Sequence, residues 1–439
     1  MNTPIKAVVT GDNHLGTYYA RLRPDRLHER REALQAGFAH AVSVALEEKA
    51  QLFLIAGDLF DRPDPRNSDR AFVARQLRRL HEGGIICVAI CGNHDSPRLP
   101  GYDGGMVPLH EMAELNGLHL LRRDDDWDSI TVQLTIGGES VSVRVRGQSH
   151  SFSKTANECP LEGSSSLDAE RTAPIEIALL HYGVEGWQIP LAAEPILLKS
   201  NLNRLSADLI AVGHLHARNF TYLDSGALLL NPGATERMDW GEERLPTGCA
   251  LVSLQPGAKA QLEWHEFAAQ PMITLEISGE ALQAACADSS LTGSATAAID
   301  YVQTAITEAI TSAGADVALC LMLRVRLRGT IDESLFHQLD TDAARRFGAA
   351  RCFHIEMQTD ELIVRYDNSE LPAGSGGVDI ETEIETVVAM LLQQALPGES
   401  ATDSERAAAA YKTRVLNSAR EALLGAYQSI APGGAGSTI

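Results

Sequence analysis

Five short apolar runs, each closed by a polar motif, constrain this chain more than any other feature. IKAVVT (5–10) leads into GDNH, LFLIAG (52–57) completes GDLFD, IICVAICG (85–92) completes GNHD, IEIALL (175–180) leads into HYG, and LIAVG (209–213) completes GHLH. Runs this short, rich in Val, Ile and Leu and without polar alternation, read as strands buried on both faces. Helical spacing lies between several of them. Residues 26–49 set Leu27, Leu34, Phe38, Ala41, Val42 and Ala45 on one side. Residues 68–82 do the same with Ala71, Phe72, Gln76, Leu77 and Leu80, and Ser68 is the expected N-cap. Strand–helix–strand alternation predicts an α/β fold with a layered sheet core and helices outside. Residues 130–147 and 220–267 read instead as antiparallel hairpins.

A second unit is expected from about Pro271. MITLEIS (272–278), a helix near 298–313, VALCLMLRVRLRG (317–329), a helix near 332–347 and CFHIEMQ (352–358) give β-α-β-α-β, a small α+β domain. The expected organisation is therefore a first domain over 1–270, an α+β domain over 271–366, a Gly/Ser/Pro-rich linker over 367–378, a helical segment over 379–430 and a disordered tail over 431–439. In the helical segment Ile380, Ile384, Val387, Val388 and Leu391 share one face. A second helix opens with Thr402 and Glu405 at capping-box spacing and continues to about Tyr427.

The motifs that close the five runs carry the chemistry. They supply Asp12, His14, Asp58, Asp61, Asn93, His94, Asp95, His181, His214 and His216. Strands of one sheet bring their carboxyl ends to one edge, where open α/β sheets bind ligands. The donors are nitrogen and oxygen with no thiolate, a set suited to Mn, Fe or Zn. They exceed what one tetrahedral ion needs, so two ions sharing a carboxylate is the economical arrangement. Any one motif alone, such as Asp-x-His or GHxH, would be ordinary; the ordered set of five is not.

Net charge is −21, with 37 Lys and Arg against 58 Asp and Glu. It is unevenly placed: +2 over residues 1–100, −15 over 101–300 and −8 over the remainder. The acidic balance argues against a strong nucleic-acid grip by the chain as a whole, but not by its first hundred residues. The seven cysteines are scattered without a CxxC pair and read as reduced thiols of a cytoplasmic protein. No apolar run approaches a spanning helix and no leader pattern opens the chain, so a membrane location is not expected.

The ordered motifs resemble the calcineurin-like metallophosphoesterase superfamily over about residues 5–270, with the pattern D-x-H, G-D-x-x-D, G-N-H-D, H and G-H-x-H. GDLFDRP, CGNHDSPR and NPGATER, with the downstream domain, linker and terminal helices, resemble its SbcD branch of double-strand-break repair nucleases. The resemblance implies a β-sandwich core with a capping domain. It implies two divalent ions, with Mn2+ the working metal. One would be held by Asp12, His14, Asp58 and His216, the other by Asp58, Asn93, His181 and His214, with Asp58 bridging. It implies that His94 touches the scissile phosphate and assists the leaving group, with Asp95 orienting it. Asp61 stands where archaeal and eukaryotic relatives have histidine, which matches the bacterial branch.

The implied function is 3′-to-5′ exonuclease action on duplex ends and endonuclease action on single strands and hairpins. The implied partners are DNA, an SbcC-type coiled-coil ATPase docked on the terminal helices, and a second copy of the chain. A small-molecule phosphodiesterase or nucleotide phosphatase, and a non-catalytic end-binding scaffold, are the alternatives. Arg62 and Arg66 near the site, and Arg324, Arg326 and Arg328 on one strand face, read either as phosphate contacts or as solvated surface. Tyr18, Tyr19, Tyr102 and Met106 read either as base contacts or as packing.

Overall fold

The computed structural model describes residues 3–97, 108–155, 158–164, 166–187, 194–288, 294–365 and 380–395, and, further on, 409, 412–413, 415–421 and 423–424. The linker and tail expected over 367–378 and 431–439, Tyr102, Met106, Thr402, Glu405 and Tyr427 lie outside them. Residues 1–365 form one compact unit and 366–439 another.

The first unit is built on two six-stranded sheets. The first runs in the order Gln261–Phe267, Thr247–Leu254, Ile5–Thr10, Leu52–Ile55, Ile86–Ile90, His119–Leu121. The second runs Asn219–Tyr222, Leu228–Asn231, Leu209–Gly213, Ile175–His181, Glu139–Gly147, Asp128–Ile136. Strand alternation explains the unbroken apolar runs. Ile5, Ala7, Val9, Leu52 and Leu54 join Ile177, Leu179, Leu209 and Ala211 in the core between the sheets. Their neighbours Val8, Phe53 and Ile55 face Leu34, Phe38, Val42, Phe72 and Leu77 of the helices Pro24–Glu47 and Asn67–Glu82. Both faces of each run are thus buried, and each fully buried Leu or Val contributes roughly 1.5–3 kcal/mol.

Local details depart from the sequence reading. The Asn67–Glu82 helix is preceded by Arg66, with no side-chain cap, and Ser68 is already inside it. The buried carboxylate of Asp69 instead holds this end, accepting from Arg66 Nε (3.0 Å) and Gln35 Nε2 (3.1 Å). The hairpin expected over 130–147 forms and begins two residues earlier, at Asp128. Within 220–267 two antiparallel pairs form, and they belong to different sheets.

The third layer, from Met272 on, is a parallel three-stranded sheet in the order Met272–Ser278, Met322–Asp332, His354–Arg365. Its apolar face packs on the helices Gly279–Asp288, Ser294–Ala313 and Thr341–Ala349. The last two strands start later than the apolar pattern suggests. A short helix, Ala315–Ala318, occupies the front of VALCLMLRVRLRG.

In the second unit, Ile380–Ala395 is helical. Val388 is buried, while Val387, Met390 and Leu391 are exposed. Arg420 Nε donates to Glu385 Oε2 (2.7 Å). No helix among the described residues is long and apolar enough to cross a membrane.

Candidate metal centre

The strands ending at Thr10, Ile55 and Ile90 are parallel neighbours, as are those ending at His181 and Gly213. The carboxyl ends of the two sheets therefore meet, and glycines permit the approach. A Cβ on Gly213 would lie 2.1 Å from Ala56 O and 2.7 Å from His181 Nδ1. One on Gly92 would lie 2.1 Å from Asp58 Oδ1. Six described non-glycine residues have left-handed backbone, and four are predicted ligands: Asp12, His14, Asp58 and His214. Strain of this kind collects where surrounding structure overrides it to aim a side chain.

The predicted residues converge. His14 Nε2 is 3.1 Å from His216 Nε2 and 3.7 Å from Asp58 Oδ2. Asp58 Oδ2 is 3.2 Å from His181 Nε2, whose Nδ1 donates to Ala56 O (2.7 Å). Asn93 Oδ1 lies 3.0 Å from His181 Nε2 and 3.2 Å from His214 Nδ1. Asp12 accepts the His214 amide (2.9 and 3.1 Å). Ligand-type atoms gather as Asp12, His14 and His216, as Asp12, Asp58 and His181, and as His14, Asp58 and His94. Asp12, His14, Asp58 and His181 are all buried. Imidazole nitrogens crowded against one another and against buried carboxylates fit a centre that expects cations.

Electrostatics carry the same signature. Burial alone would raise the Asp58 carboxyl, but the imidazoles of His181, His14 and His94 outweigh it and hold the group ionised. Burial alone would lower His181 and His216. The Asp58 carboxylate carries the first up to about 9, and Glu242 with Asp12 does the same for the second.

Three residues that carry no motif shape the site. Glu242 Oε1 lies 2.5 Å from His216 Nδ1 and turns Nε2 inward. Glu194 Oε2 lies 2.5 Å from His214 Nε2. His150 sets Nδ1 against His181 O (3.1 Å), and its ring lies over that of His214. Burial lowers His150 to about 4 and keeps it neutral.

Asp95 has a different task from orienting His94. Its carboxylate accepts the amides of Leu59 (3.2 Å), Phe60 (2.9 Å) and Gly92 (3.1 Å), tying the GDLFD and GNHD turns together. It is Asp61 that adjoins His94, through its carbonyl on Nδ1 (3.0 Å) and its carboxylate at 3.8 Å.

The arginines have protein partners. Arg62 pairs with Asp64 (2.8 Å) and Arg66 with Asp69. Arg324 lies over the Trp240 ring and donates to Thr274 Oγ1. Arg326 is 3.6 Å from Glu361, and Arg328 is 2.8 Å from Glu276. The basic stripe expected there is a mixed-charge face. Tyr19 is packed against Arg30, whereas Tyr18 is exposed.

The model of the calcineurin-like phosphoesterase family matches residues 5–218. The chain carries a calcineurin-like metallophosphoesterase domain, a class that implies divalent metal, and the candidate ligands lie within it or close by. The chain is also 29% identical over 234 residues to the DNA double-strand break repair protein Mre11 of Sulfolobus acidocaldarius, covering 52% of this chain and 53% of that protein. It is 28% identical over 280 residues to the protein of the same name from Haloferax volcanii, covering 63% and 55%. The chain thus spans about half the length of the curated relatives it matches. A dimetal phosphatase from Danio rerio aligns with 60% of this chain and 97% of its own at TM-score 0.37 and 12% identity, a likeness too partial to add to the architecture above.

Proposed function

We propose that this chain is the nuclease subunit of a DNA-end-processing complex, a two-metal phosphodiesterase. The observation that carries the reading is the convergence of ligand-type atoms from all five strand-end motifs on one buried point. The relatives' repair role supports DNA as substrate. Asp12, His14, Asp58 and His216 hold one ion, and Asp58, Asn93, His181 and His214 the second, with Mn2+ the working metal. When bound, two divalent cations offset phosphodiester charge and make a water nucleophilic near neutral pH.

The chain's own residues do the rest. Glu242 and the Ala56 carbonyl fix the imidazoles of His216 and His181, so their Nε2 atoms face the centre. His94 is partly exposed, and the Asp61 carbonyl takes its Nδ1–H. Its Nε2 remains free to take a proton from solvent and pass it to the departing sugar oxygen. Asp95, by clamping three amides, keeps His94 and Asp58 in register.

The working assembly pairs two copies of the chain with an SbcC-type coiled-coil ATPase in the cytoplasm. The exposed Val387, Met390 and Leu391 of the terminal helix form the ATPase contact. Because the nearby arginines are already ion-paired, the isolated chain grips DNA weakly and in a salt-sensitive way.

Labelled duplex, hairpin and mononucleotide substrates, with Mn2+ and with or without chelator, test this. Metal-dependent 3′-to-5′ degradation of duplex ends and opening of hairpins are expected. Mononucleotide hydrolysis without any DNA cleavage would overturn the nuclease reading in favour of a small-molecule phosphoesterase.

A further inference from the structure

Glu242 reaches His216 from a segment that the third layer holds. It ends a single helical turn, Trp240–Glu242, whose Gly241 amide donates to Asp239 Oδ1 (2.6 Å). Both Glu242 oxygens are committed. Oε2 accepts the Met238 amide (2.7 Å) and Oε1 faces His216 Nδ1. The residues on either side of this turn face the sheet that starts at Met272. Trp240 packs against the cluster of Leu22, Met272, Met322 and Phe353. Glu243 accepts a hydrogen bond from Thr274 Oγ1 (2.6 Å). One side chain joins these two contacts. Arg324, the cross-strand partner of Thr274 on the central strand, donates to Thr274 Oγ1 through Nε (3.1 Å) and Nη2 (2.8 Å). Its guanidinium carbon lies 5.2 Å from the centroid of the Trp240 ring. Arg326 and Arg328, on the same strand face, pair instead with the carboxylates of Glu361 and Glu276.

We infer that Arg324 is a positioning residue for the metal centre: through Trp240 and the Thr274–Glu243 contact it fixes the turn whose Glu242 carboxylate aims His216. This rests on the two-metal reading above and deepens it. A group that orients a ligand imidazole contributes to metal affinity without touching the ion. A turn of three residues makes too few backbone hydrogen bonds to be rigid by itself. Its rigidity is supplied from outside, by the indole and the carboxylate that flank Glu242 and by the one guanidinium that addresses both. The third layer therefore does more than stand beside the first two, since it completes the half of the centre that His216 serves. It also gives Arg324 a task other than holding a DNA phosphate, because its charge is turned to Trp240 and its donors to Thr274.

The test titrates Mn2+ into the full chain by calorimetry, with urea unfolding run on each variant to confirm that it folds. Wild type should bind two ions. Arg324→Met keeps an apolar stem against Trp240 but removes the cation and the donors. It should weaken one of the two ions roughly 10-fold and leave the other as it was. Thr274→Val, the same shape without the hydroxyl, should act in the same direction and serves should Arg324→Met fail to fold. In a Glu242→Gln background either substitution should change Mn2+ affinity by less than about 2-fold, because the carboxylate it positions is already gone. Unchanged affinities, equal losses at both ions, or losses that add in full to that of Glu242→Gln would overturn the inference while leaving the two-metal reading standing. A wild-type chain that binds fewer than two Mn2+ would overturn both.

Discussion

Gly213 is where the two sheets touch, and Gly213→Ala tests whether that contact builds the centre. The added Cβ would sit 2.1 Å from Ala56 O and 2.7 Å from His181 Nδ1. Ala56 O is the acceptor that orients His181. Because the clashing atom is backbone in a core strand's extension, no side chain can swing away. Overpacking costs about 1–3 kcal/mol. Losing the buried His181–Ala56 hydrogen bond adds about 1–3 kcal/mol. The expected loss of stability is therefore roughly 2–6 kcal/mol. The displacement also falls on a ligand imidazole, so activity should drop by about 100-fold in the fraction that folds. Urea denaturation, Mn2+ titration and hydrolysis of bis(p-nitrophenyl) phosphate read these out. Gly138→Ala, at a hairpin glycine with open space and φ of +86°, is the control and should cost only about 1–2 kcal/mol of backbone strain with the centre intact. A Gly213→Ala chain as stable and as active as wild type would refute the claim that the sheet ends are held at contact distance to form the site.

Three further outcomes follow from the same geometry. Glu242→Gln keeps the shape beside His216 but removes the charge that orients it, and should weaken Mn2+ binding roughly 10- to 100-fold by calorimetry; unchanged affinity would sever Glu242 from the centre. Metal loading should release protons: His181 and His216 sit up at about 9 without metal, so near pH 7.5 each carries a proton that binding must expel. Mn2+ affinity then rises from pH 7 to 9, and the binding enthalpy depends on the buffer's own ionisation heat; identical enthalpies in phosphate and Tris would contradict it. Arg30 is fully buried and 3.2 Å from Glu236, so Arg30→Met should cost about 3–5 kcal/mol in urea unfolding by leaving that carboxylate unpaired; a loss below about 1 kcal/mol would show that the pair is not buried as described.

Much of this was legible in the chain itself. Buried strands reveal themselves as unbroken apolar runs, and the polar residues that end them must emerge at a sheet edge. That logic places Asp12, Asp58, Asn93, His181 and His214 together across some 200 residues. Periodicity also locates the long helices and three strands after Pro271, but it misses the helix Gly279–Asp288 and reads as one helix near 332–347 what the structure breaks into Glu333–Gln338 and Thr341–Ala349. It is silent on partners that come from elsewhere in the fold. Glu242, Glu194 and His150 sit in segments with no recurring pattern, and only the folded chain brings them to His216, His214 and His181. Asp95 is adjacent to His94 in sequence, yet its carboxylate turns to three amides, because a tight turn needs its own donors satisfied more than it needs a second carboxylate at the histidine. Ser68 does not serve as a cap: the helix starts one residue earlier, and Asp69 instead pairs locally with Arg66 and, through tertiary packing, accepts from Gln35 of the neighbouring helix. The arginines of the third sheet alternate as expected, but the acids opposite them come from neighbouring strands that a single run cannot reveal.

The most direct test of the account is the anomalous difference map of crystals grown with Mn2+. Two peaks per chain, roughly 3.5–4 Å apart and astride the Asp58 carboxylate, are the predicted result. One peak should lie among Asp12, His14 and His216, and the other among Asn93, His181 and His214. A single peak, or peaks outside these residues, would contradict the claim that five strand ends build one two-metal centre.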